Sequence, residues 1–188
     1  EFKELEKNFE NNKNALANFD LDSIEKIALK IDEIRIKNKF LFVAGNGGSA
    51  STASHFVNDL MKATRKEGNT PFIKAISLTD NVSLITAISN DIDYGHIFQF
   101  PLESLSSPGD MLFVISASGN SENLVNAVNY SNKNGIYTAG LLGFDGGILN
   151  KKLNMSNLIN TPIGEYELVE NMHSIICHLI SSYLSKWN

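Results

Sequence analysis

The sequence predicts an α/β fold: a doubly wound, flavodoxin-like sandwich, with a parallel five-stranded sheet, helices on both faces and two extra N-terminal helices. Three observations carry this reading. Short apolar runs alternate with helical patterns along the chain, the rhythm of βαβ units. Those runs are apolar at successive positions rather than alternate ones, as strands covered on both faces must be. Two of them end in Gly- and Ser-containing turns that lead straight into helices, and ligands of such folds bind beyond these strand ends.

Residues 2–19 carry Phe2, Leu5, Phe9, Leu16 and Phe19 at helical spacing, with Asn12 interrupting the stripe. Asp20-Leu21-Asp22 breaks the pattern. Asp22 followed by Glu25 resembles a capping box and opens a second helix bearing Ile24, Ile27, Ala28, Ile31 and Ile34. Two amphipathic helices ahead of the first strand must bury their stripes, and another copy of the chain offers a surface. Residues 40–44 read as the first strand, followed by a Gly-rich turn and a helix opened by Ser49, whose hydroxyl can cap free N–H groups. A polar stretch over 64–71 precedes a strand at 72–78, and Asp80-Asn81 begins a helix that stops near Asp91. Residues 94–105 are partly helical, limited by Pro101. Strands at 111–115 and 136–142 flank a helix through Leu124, Val125 and Val128. A weak fifth strand covers 158–160, and a last helix runs over about 165–185. The reading is one domain over 1–188, with 1–38 as helices at an oligomer interface and 39–188 as the α/β core.

Charge and composition exclude several classes of function. Sixteen basic against 21 acidic residues give a net charge of −5, with Lys and Arg scattered, so neither nucleic acid nor an acidic membrane surface is expected as a partner. No apolar run approaches the ~18 residues of a membrane span. One cysteine, Cys177, forbids an internal disulfide and fits a reducing cytoplasm, the expected location.

Two turns carry the chemistry. Gly45-Asn46-Gly47-Gly48-Ser49-Ala50 leaves a strand and enters a helix, where unpaired N–H groups and the helix dipole favour an anion. It also satisfies the dinucleotide pattern G-x-G-x-x-A. That pattern wants an acidic residue about 20 positions on, whereas Asp80 lies 30 beyond Ala50. The second turn has Ser116, Ser118 and Ser121 between a strand and a helix, hydroxyls able to surround the oxygens of one phosphate monoester. His55 and Asp59 stand four apart on one helical face.

Together with Asn90-Asp91, Gly146-Gly147 and Glu170…His173…His178, these motifs resemble the sugar isomerase (SIS) domain family, and within it the phosphoheptose isomerases. The resemblance covers about residues 5–185. It implies a homotetramer with active sites at subunit interfaces, and isomerisation of sedoheptulose 7-phosphate to D-glycero-D-manno-heptose 7-phosphate. That reaction is the entry step to nucleotide-activated heptose for lipopolysaccharide, capsule or other surface glycans. Position by position, Ser49, Ser116, Ser118 and Ser121 correspond to phosphate binders, with Asn46, Gly47, Asp91, Glu167 and Glu170 among the substrate-site positions. His55, Asp59, Glu170 and His178 match the positions that hold Zn²⁺ in metal-bearing members, and Asp59 and His178 those assigned as base and acid. His173 is not a family ligand and reads as a support behind the ligands or a subunit contact. The chemistry fits, since moving a carbonyl from C2 to C1 needs a base, an acid and stabilisation of an enediolate. Glu170 and His178 are eight residues apart, about 80° on the helical wheel, so one side of the helix can present both.

This chain departs from the family pattern at four places. Asp59 replaces a glutamate and Glu170 a glutamine, so an ion held by two carboxylates and two neutral histidines would be fully neutralised. Ala117 replaces a threonine, and Lys62-Ala63-Thr64 lacks the family's arginine, for which Lys62 or Arg65 would have to substitute. These departures keep two alternatives open: an SIS isomerase for another ketose phosphate, or a non-catalytic SIS protein that binds sugar phosphate as a regulator or assembly factor.

Overall fold

The computed structural model describes residues 2–64 and 71–186; most of the polar stretch, with Arg65, lies outside the described residues. Five parallel strands stand in the order β2-β1-β3-β4-β5: β1 (Phe40–Gly45), β2 (Lys74–Ser77), β3 (Met111–Ser116), β4 (Tyr137–Gly143) and β5 (Met155–Ile159). This is the flavodoxin-like order expected from the sequence, with the reversal of winding between β1 and β3. Leu41 pairs with Met111 and Gly45 with Ile115, so both strands end at the same level.

The uninterrupted apolar run of β3 shows why the sheet needs two covers. Met111, Phe113 and Ile115 pack with α2 (Leu21–Ile36), α3 (Gly48–Ala63) and α7 (Tyr166–Lys186). Leu112 and Val114 join the opposite core, built with α4 (Val82–Asp91), α5 (Gln99–Leu105) and α6 (Glu122–Lys133). Strand β3 is buried at every position.

The leading helices behave differently from each other. α2 buries Ile24, Ile27, Ala28, Ile31 and Ile34 in the chain's own core. Only α1 (Phe2–Ala17) has no buried residue and leaves Phe2, Leu5, Phe9 and Leu16 in solvent. The expected interruption at Asn12 is a contact, because its side-chain oxygen accepts from the Asn171 amide of α7 at 3.0 Å. The cap of α2 is Asp20, which accepts from the Ser23 N–H at 3.1 Å, and not Asp22, whose carboxylate is paired with Lys26 at 2.6 Å. Pro101 sits in the first turn of α5, where its missing N–H costs no hydrogen bond, so it starts that helix instead of limiting it. No helix among the described residues is long and apolar enough to cross a membrane.

His173 on α7 is 1% exposed within one chain, so it is a core residue and not a subunit contact. Neither ring nitrogen has a partner at hydrogen-bonding geometry. Burial pushes its pKa down to about 4, opposed only in part by the Leu142 backbone. The unfolded chain binds this proton near pH 6.5 while the native state refuses it. Stability is therefore full above pH 6.5 and falls as pH drops toward 4, by roughly 3 kcal/mol in total from this group. Denaturation of His173→Phe measured between pH 7 and 4.5 should lose much of that slope; an unchanged slope would mean other groups carry it.

Candidate active site

The site begins with two helices whose N-termini are not capped by a side chain. At α3 the N-cap is Gly47, at φ 54°, with no side-chain cap hydrogen bond. Glycine takes that backbone cheaply, so the helix begins at Gly48, earlier than a cap at Ser49 would allow. Ser49 is thus inside the first turn, and its hydroxyl does not cap. The Gly48 and Ser49 N–H groups have no backbone acceptor among the described residues. At α6 the N-cap is Ser121, again with no side-chain cap hydrogen bond. Helices α2 and α4, by contrast, are capped by Asp20 and Asn81. Uncapped N–H groups at both turns are donors waiting for an anion.

The two turns meet in a pocket of about 120 Å³ lined by Asn46, Ser49, Ser116, Ser118, Ser121 and Glu170, with Tyr166 at its side. At roughly 30 Å³ per water that is about four waters, room for a phosphate group and far short of a dinucleotide. Ser116 and Ser118 accept from the Gly119 and Asn120 N–H groups at 3.0 and 3.3 Å, which leaves both hydroxyl protons to donate. The serine turn is held against the turn after β4: the Leu149 N–H donates to the Gly119 carbonyl at 3.0 Å, and the Ile148 N–H to the Asn120 side chain at 2.9 Å. A Cβ on Gly119 would lie 2.0 Å from the Gly146 carbonyl oxygen, so the residue must be glycine for the two turns to touch. Phe144, at φ 54° and buried, packs edge-on against Tyr166 at 5.0 Å and fixes that wall of the pocket.

Farther along α3 the structure brings together His55, Asp59 and His178. Asp59 Oδ1 lies 3.5 Å from His55 Nε2, and Oδ2 lies 3.1 Å from His178 Nδ1. The two rings cross edge to face at 4.9 Å. One ligand-capable atom from each residue falls within 4.8 Å of the others, and the carboxylate reaches both histidines despite being one methylene shorter than the family's glutamate. Three N/O donors so placed are a set of a kind that can hold a metal ion. Beside them, Cys177 is buried and its thiol pKa is raised, first by burial and then by the Asp59 charge, so it stays inert.

The structure does not bring Glu170 to this triad. Eight residues of α7 separate it from His178 along the axis, about 12 Å. Its carboxylate instead lies against Gly48, where an added Cβ would meet Oε2 at 2.4 Å. Of the residues that line the serine pocket, Glu170 alone is charged. Asp91 and Glu167 are exposed and line no part of that pocket; Asp91 accepts from the Asn90 amide at 2.7 Å. Sequence reasoning missed Tyr166, Tyr94 and Asn123. The Tyr94 hydroxyl and the buried Asn123 amide both bond Asn46, across 48 and 77 residues of chain. No local motif marks them; the one available signal is a polar Asn123 on the inward face of a helix.

Comparison with known proteins gives a consistent result. The family described as SIS domain matches residues 7–143. A probable phosphoheptose isomerase of Thermoplasma acidophilum is 34% identical over 97% of this chain and 98% of its own. The phosphoheptose isomerase of Aliarcobacter butzleri is 36% identical over 88% of this chain and 86% of its own. Among solved structures, a phosphoheptose isomerase from Francisella tularensis superposes with a TM-score of 0.88 at 26% identity, covering 100% of this chain and 99% of that one.

Two positive-φ glycines, one in each turn, separate strain from collision. Gly47→Ala meets no atom within 4 Å and should cost only backbone strain, on the order of 1–3 kcal/mol. Gly119→Ala adds a collision with the Gly146 carbonyl and should be clearly the less stable of the two in urea denaturation. Equal losses would show that the turns can separate freely.

Proposed function

Because the chain belongs to the SIS domain family, we propose that it is an aldose–ketose isomerase of the phosphoheptose class, converting sedoheptulose 7-phosphate to D-glycero-D-manno-heptose 7-phosphate. One observation carries the reading: a serine-lined anion pocket lies one substrate length from a His–Asp–His cluster. An extended seven-carbon chain spans roughly 10 Å from carbonyl to phosphorus, at bonds near 1.5 Å. Helix α3 rises ~9 Å from Ser49 to His55 and ~15 Å from Ser49 to Asp59, whose side chain leans back toward the helix start and meets His55. The relatives' names favour the heptose over other ketose phosphates, and the assembled acid/base residues favour catalysis over a regulatory role.

In this reading Ser49, Ser116, Ser118 and Ser121 hold the phosphate, together with the free N–H groups of α3. Asp59 takes the proton from C1 of the ketose while His178 protonates O2. The resulting enediol then receives the proton from Asp59 at C2, and His178 recovers one from O1, leaving the aldehyde at C1. Proton count is conserved and the carbonyl has moved by one carbon. The triad would also hold a divalent ion such as Zn²⁺, which would supply polarisation of the sugar oxygens. Asp91 and Glu167 are assigned to the sugar end of the site, outside the phosphate pocket. The exposed stripe of α1 supports self-association, and with it a homotetramer whose subunits border the site. The product's onward use in nucleotide-activated heptose for a surface glycan follows from the same reading, as does a cytoplasmic location.

Three measurements bear on this. Incubation with sedoheptulose 7-phosphate, with and without Zn²⁺, should yield the aldose by NMR, and His178→Ala should lower kcat at least ~100-fold with the fold intact. No turnover of any seven-carbon ketose phosphate under either condition would rule the reading out. Zn²⁺ titration by calorimetry should show one site per chain that His55→Ala weakens strongly; equal affinity in that variant would remove the triad from metal binding. Glu170→Gln should tighten inorganic phosphate binding at least about tenfold, since a unit charge a few ångströms from a dianion is worth over 1 kcal/mol even at the dielectric of bulk water. An unchanged affinity would place that carboxylate away from the bound anion.

A further inference from the structure

We propose that Asn123 and Tyr94 are positioning residues that fix Asn46 as a pure hydrogen-bond donor toward the bound phosphate. The inference rests on the reading of the serine pocket as the phosphate site. It starts from a backbone group. The Leu124 N–H, shared with the Ser121 carbonyl, lies 2.9 Å from the Asn123 side-chain oxygen. An NH₂ in that place would set donor against donor, so the orientation of the Asn123 amide is fixed. Asn123 is 1% exposed and cannot turn away to water.

With Asn123 fixed, Asn46 follows. The two amides form a reciprocal pair, Asn123 Nδ2 donating to Asn46 Oδ1 at 2.9 Å and Asn46 Nδ2 donating to Asn123 Oδ1 at 2.9 Å. The Tyr94 hydroxyl donates to the same Asn46 oxygen at 3.0 Å. Both lone-pair directions of Asn46 Oδ1 are therefore occupied, and one of its two amide protons is spent. What remains is a single N–H on a side chain that lines the pocket.

An amide free to rotate can offer either an acceptor or a donor to a ligand. Held this way, Asn46 offers only a donor. A phosphate oxygen only accepts, so the arrangement matches a phosphate monoester and mismatches a ligand group that must donate there. Tyr94 also ties the segment after α4 to the end of β1, a contact made through the same Asn46 oxygen.

The test is a double-mutant cycle on inorganic phosphate binding, read by calorimetry, with Asn46→Ala, Tyr94→Phe and the pair. Wild type should bind; Asn46→Ala should weaken binding about tenfold and Tyr94→Phe a few-fold, while Tyr94→Phe added to Asn46→Ala should change nothing further. Equal losses from Tyr94→Phe in both backgrounds would overturn the positioning role and leave the phosphate pocket standing. No binding by wild type would remove the pocket assignment and this inference with it. Asn123→Asp keeps the acceptor for Leu124 but sets a second oxygen against Asn46 Oδ1. In turnover of the sugar phosphate it should raise KM at least tenfold with kcat changed less than threefold, and Asn123→Gln should not rescue it. A fall in kcat at unchanged KM would also overturn the proposal, and circular dichroism of each variant separates either result from misfolding.

Discussion

Two helix N-termini left without side-chain caps at one edge of the sheet are the constraint from which the rest of this site follows. A parallel sheet in the order β2-β1-β3-β4-β5 puts the ends of β1 and β3 side by side at the reversal of winding. Helices α3 and α6 leave those two strands, so their starts converge. Capping by Ser49 or Ser121 would satisfy their N–H groups locally and remove the reason for a ligand. Instead Gly47 and an uncapping Ser121 leave donors unspent, and Ser116 and Ser118 spend their oxygens on turn N–H groups, so that hydroxyl protons remain. The result is a donor-rich, cation-free pocket in which an anion completes two helices at once.

The same helix that starts at the serine pocket carries His55 and Asp59 of the triad farther along. α3 and α7 run side by side in the same direction, Glu170 against Gly48 near their starts and His178 against Asp59 farther on. Their packed faces include Phe56, Leu60, Met172 and Ile176, all buried. That core contact sets the spacing between pocket and triad as a helical rise, insensitive to loop motion. It also explains the inert neighbours, since Cys177 and His173 lie on the inward face between functional positions and are held there by burial.

How much of this was legible in the sequence depended on range. Four strands and the two Gly- and Ser-containing turns follow from patterns within ten residues; the weak fifth strand, read at 158–160, lies at Met155–Ile159, and the strand order follows from the handed crossover rule. The capping residues were misplaced by two positions, at Asp22 and Ser49, because both candidates have the right chemistry and only the backbone chooses between them. Asp20 and Gly47 win where the chain turns. The link among Asn46, Tyr94 and Asn123 joins three segments distant in sequence, and no periodicity marks it. Position 170 was identified as a site residue, but its partner was not, since a helical wheel gives angle without saying which neighbouring element each level of the helix meets.

That last distinction changes the electrostatics. With Glu170 counted among the metal ligands, two carboxylates would cancel a divalent charge and leave a weak Lewis acid. With Glu170 at the start of α3, Asp59 is the single carboxylate of the triad, and a divalent ion held by it and two imidazoles would keep one net positive charge. Held by Asp59, His55 and His178, such an ion would supply polarisation of the sugar oxygens that a fully neutralised one would not. The carboxylate at Gly48 meanwhile lies where, in the proposed reading, the phosphate dianion binds. Two of this chain's departures from the family pattern, a shorter acid at 59 and an added acid at 170, are therefore not one compensated exchange at a metal. In the proposed reading they act at opposite ends of the substrate, the first on the reacting carbons and the second on the phosphate.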